Sequence, residues 1–293
     1  MHGWIILDKP LGLGSTQGVS AVKRALREGG YGKFKVGHGG TLDPLATGVL
    51  PIAVGEATKL AGRMLDSDKI YDFTVRFGVQ TDTLDSEGRE VAASDVRPSR
   101  GAIEALLPRF SGPIEQVPPA YSALKVDGER AYDLARKGED VLLATRSVTI
   151  HALELRGADA DSATLTAHVS KGTYVRSLAR DIALALGTVG HVTMLRRIKA
   201  GPFDLASAIS LDNLADAAKA RTLEDCLLPL RAGLDDIPAL LLAPGQAGAL
   251  RQGRMLTGIA ANDGQHFALD GDTPVALVEV SDGNVRVVRG FNL

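Results

Sequence analysis

The sequence has very little cysteine, few aromatic residues and no long apolar run. Its one cysteine, Cys226, cannot form an internal disulfide, and a lone thiol is typical of a reducing compartment. The apolar run at residues 4–7 is much shorter than the apolar region of a signal peptide, and no stretch approaches the roughly 20 residues of a membrane span. We therefore expect a cytoplasmic protein that does not enter a membrane.

Metal and nucleotide motifs are missing as well. The histidines, at 2, 38, 151, 168, 191 and 266, show no ligand spacing, and no Walker A sequence is present. The glycines at 12, 14 and 18 follow a predicted strand and open a helix. A dinucleotide fingerprint, however, needs the third glycine one position earlier and a second parallel strand after the helix. We therefore expect neither a metal nor an organic cofactor.

The composition is that of a globular protein with segregated charge. The chain has 293 residues and is 45% hydrophobic, which suits one large domain plus a small one. Its net charge of −2 argues against non-specific coating of nucleic acid. Even so, residues 171–199 hold six basic side chains against one acid, and residues 1–43 hold six against three. Such local basic faces suit RNA held along one groove, although charge alone favours ordinary helix surfaces.

Hydrophobic periodicity predicts an α+β protein. Residues 3–7 have the pattern of a strand, and a helix N-capped by Ser15 follows until Gly29. Residues 69–78 alternate as a half-buried strand with Tyr71 on the apolar side, and residues 175–186 carry a helical stripe. Because strands and helices follow no βαβ rhythm, we expect a mixed, mainly antiparallel sheet within residues 1–234.

The pattern changes near residue 235, which predicts a second domain. Short β segments follow, with Asp-Gly turns at 270–271 and 282–283. The last of these turns lies between two apolar runs, as in a β-hairpin. Residues 235–293 are therefore expected to form a small β-rich domain.

A long loop concentrates the polar candidates. Residues 34–48 lack periodicity and include His38 and Asp43 among several glycines. Pro44 disfavours helical backbone at Asp43, and Gly39 and Gly40 allow another backbone or a ligand to come close. An Asp-Pro pair usually does no more than open a turn. In this setting it predicts a stiffly held carboxylate at the edge of an open loop.

The same segment carries a resemblance. GHGGTLDPLATGVLP, at residues 37–51, closely resembles the motif of the TruB family of tRNA pseudouridine synthases, which in bacteria act on the T-loop uridine at position 55. Seven other stretches resemble the family in the same order along residues 3–203: LDKPLGLGS, GEATK, SDKIYDFTVRFG, TDTLDSEG, PPAYSALKVDGERAYDLARKG, SKGTYVRSLARDIALALG and HVTMLRR. The ordered set is highly specific.

The resemblance implies a pseudouridine synthase fold, a PUA-like C-terminal domain and the T-stem-loop of tRNA as the partner. It implies that Asp43 is the catalytic carboxylate and that Arg176 is its paired cation. Tyr71 would stack on the target uracil and move a proton at C5. Without the resemblance, Arg176 would be interpreted as a solvated helix residue and Tyr71 as a core aromatic.

Four further residues are assigned to substrate binding by the resemblance or by their charge. His38 would fill the space left by the extruded base, and Leu195 would line the uracil pocket. Lys9, Lys69 and the basic residues of 125–146 are candidates for phosphate contacts. The simpler interpretation of His38 is an ordinary loop histidine, and that of Leu195 is a core leucine.

Two other functions remain open at this point. One is an RNA-binding or tRNA-folding module without turnover, and the other is a small-molecule lyase or hydrolase that uses the Asp43–Arg176 pair. Because the isomerisation is redox-neutral, it needs no cofactor. We expect a monomer.

Overall fold

The computed structural model describes residues 1–122, 124–126, 128–139, 141 and 143–293. Its strands are β1 (Gly3–Lys9), β2 (Val36–His38), β3 (Ala46–Val54), β4 (Lys69–Phe77), β5 (Val79–Thr81), β6 (Glu90–Ala93), β7 (Gly112–Gln116), β8 (Lys125–Val126), β9 (Glu129–Arg130), β10 (Arg146–Ala158), β11 (Ser162–Val169), β12 (Gly190–Ala200), β13 (Phe203–Asp204), β14 (Leu228–Pro229), β15 (Ala239–Leu241), β16 (Gly264–Asp270), β17 (Thr273–Ser281) and β18 (Asn284–Gly290). Its α-helices are α1 (Ser15–Glu28), α2 (Ala61–Asp66), α3 (Arg100–Leu106), α4 (Ala131–Arg136), α5 (Val175–Ala185), α6 (Leu211–Ala220) and α7 (Gln246–Arg251). Among these described residues, no helix has the length and apolar character needed to cross a bilayer.

A ten-stranded mixed sheet forms the centre, in the order β14-β1-β3-β12-β4-β11-β10-β7, with β2 on β3 and β13 on β12. Every pairing is antiparallel except that of β3 with β12, which confirms the predicted mainly antiparallel sheet. In the described part of the chain, both neighbours of β1 run antiparallel to it. The parallel strand pair of a dinucleotide fold is therefore missing around the glycines of residues 12–18.

Two groups of helices cover one face of this sheet and leave a gap between them. Helices α1 and α6 pack over β1 and β3, with Leu7, Val22 and Leu50 in the shared core. Helices α3 and α5 pack over β4 and β11, with Phe73 and Leu178 in a second core. The strands between the two groups, β12 and the start of β4, carry the residues that contact both cores.

The C-terminal segment forms the predicted β-rich unit. Its four strands are arranged β15-β16-β17-β18, and β17 and β18 form the expected hairpin. Asp282 and Gly283 both have positive φ, 50° and 72°, as a two-residue type I′ turn requires. Leu277 and Phe291 of this unit pack into the same core as Trp4, so it is docked firmly on the large sheet.

Two local predictions were wrong. Ser15 does not cap α1; the N-cap is Gly14, because the Ser15 hydroxyl instead bonds the backbone of Leu42. The loop predicted over residues 34–48 contains β2 and the start of β3, whose pattern is hidden by glycines and by the short length of β2.

Candidate active site

An ion pair between Asp43 and Arg176 forms the centre of the site. Arg176 is the second residue of α5, and the burial of Val175 and Leu178 on either side fixes the first turn of this helix. Its guanidinium Nη2 lies 2.8 Å from Oδ2 of Asp43. The Arg176 side chain is only 7% exposed, whereas that of Asp43 is 42% exposed. The cation is therefore anchored inside the protein, and the carboxylate stays accessible from the cleft.

The two Nη atoms of Arg176 have further partners. Nη1 donates to the carbonyl of Thr83 at 2.9 Å and lies 3.3 Å from Oδ2 of Asp85, and Nη2 donates to the carbonyl of Tyr121 at 3.0 Å. A buried guanidinium needs this degree of compensation, since an unpaired buried charge is strongly destabilising. One cation thus lies between two carboxylates, one open to the cleft and one enclosed.

Asp85 is the functional candidate that sequence reasoning missed. Its Oδ1 accepts hydrogen bonds from the Thr83 hydroxyl at 2.6 Å and from the Glu87 backbone N–H at 3.1 Å. Leu84 has φ +63°, a left-handed conformation that is rare for leucine and that occurs most often where function requires it. In the sequence, the stretch TDTLDSEG stands out only because it resembles the family. Nothing local in that sequence indicates that its second aspartate faces Arg176.

The segment that carries Asp43 is fixed by hydrogen bonds on both sides of the carboxylate. Ser15 Oγ accepts from the Leu42 N–H at 2.8 Å and donates to the Leu42 carbonyl at 3.0 Å. The Pro44 carbonyl accepts from the Gly12 N–H at 2.8 Å and from Lys9 Nζ at 3.3 Å. Asp43 therefore has little backbone freedom, as expected for a carboxylate that must be held in position.

A buried arginine supports the glycine turn just before Asp43. Arg197 is 1% exposed, and it donates through Nε to the Val49 carbonyl at 2.7 Å and through Nη2 to the Gly40 carbonyl at 3.2 Å. Gly40 has φ +128°, which side-chain-bearing residues rarely adopt. The glycines at 39 and 40 thus allow the close approach expected from the sequence. The approaching groups are side chains of the protein itself, those of Met64 and Arg197.

The expected phosphate contacts of Lys9 and Lys69 are not compatible with their positions. Lys9 is fully buried and donates to the carbonyls of Pro10 and Leu13 as well as Pro44. Lys69 is 7% exposed and donates to three carbonyls around the C-terminus of α2, those of residues 64, 65 and 67. Burial lowers the pKa of each ammonium to about 8. Both lysines therefore have structural roles. The alternating pattern of their strands does not indicate that these side chains are buried.

His38 lies on β2 with a buried ring nitrogen that is unpaired. Among the described residues, Nδ1 of His38 is one of three buried side-chain polar atoms without a hydrogen-bond partner. Burial, followed by the nearby charge of Arg197, lowers the pKa of this imidazole below its usual value. The ring is therefore neutral near pH 7 and has polar capacity to offer a ligand.

The cleft itself is narrow and half apolar. It is lined by polar groups of Asp43, Asp85 and Arg176. Six further residues come from the segment just after Asp43 and from β12: Leu45, Ala46, Val192, Thr193, Met194 and Leu195. The structure therefore brings together three of the residues named from sequence, Asp43, Arg176 and Leu195. Such a combination of a charged pair and an apolar wall suits a planar, weakly polar group such as a nucleobase.

Tyr71 lies beside this cleft rather than in its lining. On the paired strands β4 and β12, Leu195 is opposite Phe73 and Arg197 is opposite Tyr71, so Tyr71 and Leu195 are diagonal neighbours on the same face. Both are partly buried, and both contact the two core clusters that border the gap between the helix groups. Tyr71 is thus not a fully enclosed core aromatic.

The basic segments differ in how accessible they are. In residues 171–199, Arg176 and Arg197 are buried, and Lys171, Arg180 and Arg196 each pair with a carboxylate. Residues 125–146 carry a two-stranded hairpin and α4, and residues 127, 140 and 142 lie outside the described part of this segment. Its side chains at Lys125, Arg130, Arg136 and Lys137 are exposed. This arm, residues 125–146, therefore carries the more accessible basic side chains, in a segment whose five basic residues are matched by five acidic ones.

Two family profiles match the chain. That described as TruB family pseudouridylate synthase (N terminal domain) matches residues 25–175, and that described as tRNA pseudouridylate synthase B C-terminal domain matches residues 176–235. Two similar relatives are both named tRNA pseudouridine synthase B. The relative from Novosphingobium aromaticivorans is 68% identical over 298 residues, which cover 100% of this chain and 98% of the relative. The relative from Zymomonas mobilis is 59% identical over 292 residues, which cover 100% of this chain and 96% of the relative.

Solved structures have a similar fold. A structure titled as a Cbf5-Nop10-Gar1 complex matches with a TM-score of 0.76 and 25% identity, over 99% of this chain and 84% of that one. A chain from a structure titled as an H/ACA RNP bound to a substrate RNA containing 2′-deoxyuridine matches with a TM-score of 0.76 and 23% identity, over 99% of this chain and 85% of that one. At these identities the likeness concerns the fold.

Proposed function

The chain belongs to the TruB family of pseudouridylate synthases, and on that premise we propose that it isomerises the T-loop uridine at position 55 of tRNA to pseudouridine. It is a tRNA pseudouridine synthase. The observation that carries the proposal from the molecule itself is the accessible Asp43 carboxylate, held 2.8 Å from a buried arginine at the mouth of a half-apolar cleft.

The reaction that we assign to this site is an internal exchange of bonds. The C1′–N1 bond of the uridine breaks, the uracil rotates, and a C1′–C5 bond forms, after which the proton on C5 is lost and N1 regains one. Asp43 begins the exchange, either by attacking C1′ or by removing the proton on C2′. Both routes need an ionised carboxylate fixed against the sugar, which agrees with the hydrogen bonds around Leu42 and Pro44.

We propose that Tyr71, Leu195 and His38 handle the extruded base. Flipping a nucleotide out of a folded loop costs a few kcal/mol, and stacking on an aromatic ring contributes about 1–3 kcal/mol in return. Tyr71 and Leu195 present adjacent apolar surface on one face of the sheet. His38 would fill the space left by the extruded base with an uncharged ring, since burial and the charge of Arg197 lower its pKa.

The RNA would be held by the exposed basic side chains of the arm, residues 125–146, together with the C-terminal domain. Arg130 and Arg136 of the arm flank the ring of Tyr132, at 5.9 Å and 5.4 Å from its centroid, and remain exposed. We place the catalytic domain at residues 1–234 and a PUA-like domain that adds affinity at residues 235–293. We further propose that the protein works as a monomer in the cytoplasm.

The decisive experiment uses a synthetic T-stem-loop RNA labelled with tritium at C5 of the target uridine. Because C5 exchanges its hydrogen for C1′, turnover releases tritium while the mass of unlabelled RNA stays constant. The wild-type protein should release one equivalent, and Asp43→Asn should release none while still binding the RNA. Tight RNA binding without any release would identify a tRNA-folding module instead, and the absence of both would favour a small-molecule enzyme.

A further inference from the structure

Three side chains outside the cleft converge as metal ligands do. Asp68 lies between α2 and β4, His151 lies on β10, and His168 lies on β11. Oδ2 of Asp68 is 3.2 Å from Nε2 of His151 and 3.7 Å from Nε2 of His168. The three ligand atoms all lie within 4.8 Å of one another, and within the described residues this is the one group of three or more such ligands. Sequence spacing could not reveal it, because each ligand comes from a different segment.

The sheet is irregular at this point in a way that creates the cluster. On β10 and β11, Ile150 is opposite Val169 and Ala152 is opposite His168, so His151 is an extra, bulged residue. A β-bulge re-aims a side chain, and here the imidazoles of His151 and His168 come to 4.7 Å between ring centroids. Ala167 faces the core opposite Tyr71, so the next residue, His168, faces the other side of the sheet.

The two spacings between the carboxylate oxygen and the imidazole nitrogens fit a small transition-metal ion. Zinc binds imidazole nitrogen and carboxylate oxygen at about 2.0–2.2 Å with tetrahedral geometry, which places neighbouring ligand atoms about 3.3–3.5 Å apart. The observed 3.2 Å and 3.7 Å lie on either side of this range. The side chains of Asp68, His151 and His168 are 47%, 38% and 40% exposed, which leaves a route for the ion and room for water as a fourth ligand.

Two surface ion pairs are the alternative interpretation of the same contacts. In that case each imidazole would donate its Nε2–H to the one carboxylate of Asp68, with the two rings tilted by 48° to each other. Neutral imidazoles, by contrast, can direct both lone pairs at one ion while the carboxylate supplies a negative ligand. Mixed nitrogen and oxygen ligands favour zinc and its neighbours over magnesium and calcium, which prefer oxygen alone.

We propose that Asp68, His151 and His168 form a binding site for a divalent transition metal of the zinc class, on the face of the sheet opposite Tyr71. The bound ion would link the α2–β4 junction to the bulge of β10 and to β11. Its role is structural, so the isomerisation at Asp43 does not require it. The proposal is independent of the function assigned to the cleft.

The test uses full-length protein without an affinity tag, stripped with chelator and titrated with zinc chloride by calorimetry. We expect one equivalent bound, an increase in the melting temperature, and intense visible absorption from a four-coordinate site when cobalt(II) replaces zinc. His151→Ala and His168→Ala should each weaken binding by at least about tenfold without changing the metal-free melting temperature, because both side chains are exposed.

His2→Ala is the matched control, since His2 is a partly exposed histidine in another part of the chain, next to the terminal amine. This variant should bind zinc like the wild type. Loss of binding in His2→Ala would place the metal at the N-terminus and overturn the proposal. Absence of saturable zinc binding in the wild type, or unchanged affinity in both His151→Ala and His168→Ala, would overturn it equally.

Discussion

Asp85 and Arg176 form an ion pair inside the protein, with 3.3 Å between Oδ2 and Nη1 and with the two side chains only 9% and 7% exposed. The same guanidinium holds the accessible carboxylate of Asp43 through its other nitrogen. Asp85 therefore neutralises part of a buried charge and also sets the direction from which Arg176 approaches Asp43.

Asp85→Asn should lower both activity and stability. The amide keeps the size of the carboxylate but leaves the buried guanidinium with one formal counter-charge, and breaking a buried pair costs about 3–5 kcal/mol in the least favourable cases. We expect single-turnover pseudouridine formation to fall by at least about tenfold and the melting temperature to decrease. Glu87→Gln, an exposed change two residues away, is the control. An unchanged rate in Asp85→Asn would show that Arg176 orients Asp43 without this partner.

Much of the fold was predictable because its signals are local. The alternation of β4, the stripe of α5 and the Asp-Gly hairpin of β17 and β18 each lie within about twenty residues, and all three predictions were confirmed. The strand order of the large sheet and its parallel pairing of β3 with β12 depend on segments almost 150 residues apart, and periodicity contains no such information.

The site was predictable only in part, for the same reason. Asp43 stands out because proline and glycines surround it, but the role of Asp85 depends on a contact with α5 across the cleft. Lys9 and Lys69 look like surface cations in the sequence, yet both are buried and bonded to carbonyls that belong to loops and a helix end. In each case the missing information is a long-range contact.

Asp43→Asn should abolish isomerisation and leave RNA binding nearly intact. Asparagine preserves size and most hydrogen bonds, but it is neither an anionic nucleophile nor a base, so only the chemical step should suffer. The measurement is single-turnover pseudouridine formation beside filter binding of the T-stem-loop. Residual turnover within about tenfold of the wild type, a change of only about 1.4 kcal/mol in the barrier, would rule out Asp43 as the essential catalyst.

Tyr71→Phe separates stacking from proton transfer. Phenylalanine keeps the aromatic face next to Leu195 and loses only the hydroxyl, so RNA affinity should stay close to that of the wild type. If the hydroxyl moves the C5 proton, the rate should fall severely, and the rearranged but still protonated base should accumulate. Tyr71→Leu, which removes the ring as well, should also weaken binding. Equal rates for Tyr71→Phe and the wild type would assign the proton to another group.

The two buried lysines predict a pH dependence of stability. Burial lowers the pKa of Lys9 and Lys69 from 10.5 to about 8, so between these values the folded state binds fewer protons than the unfolded state. The free energy of unfolding should therefore rise with pH across this window, by at most about 1.4 kcal/mol per pH unit for each lysine. In denaturant melts, the free energy of unfolding of Lys69→Met should rise less with pH than that of the wild type. The exposed change Lys125→Met should show the same rise as the wild type. Equal slopes for Lys69→Met and the wild type would contradict the burial of the charge.

Gln116 should control the position of Arg176 without touching the substrate. Its side chain is fully buried, and it accepts a hydrogen bond from the Tyr174 N–H at 2.8 Å and donates to the Tyr174 carbonyl at 3.1 Å, just before α5 begins. Gln116→Leu fills the same space but leaves the Tyr174 N–H without its partner, which costs about 1–3 kcal/mol for a buried group, whereas the Tyr174 carbonyl keeps its bond from the Leu178 N–H at 3.0 Å. The start of α5 should loosen, and with it the geometry of the pair between Arg176 and Asp43.

The expected signature in Gln116→Leu is a fall in kcat of about tenfold with little change in KM, since the defect lies in the placement of the catalytic pair and not in RNA contact. Gln246→Ala is the matched control, because Gln246 also bonds a backbone N–H, that of Ala243 at 2.8 Å, but at the start of α7 in the C-terminal unit. It should lower the melting temperature and leave kcat unchanged. If Gln116→Leu lost stability to the same extent with kcat intact, the bond to Tyr174 would serve folding alone, and Arg176 would be positioned by its two carboxylates and two carbonyls without help from β7.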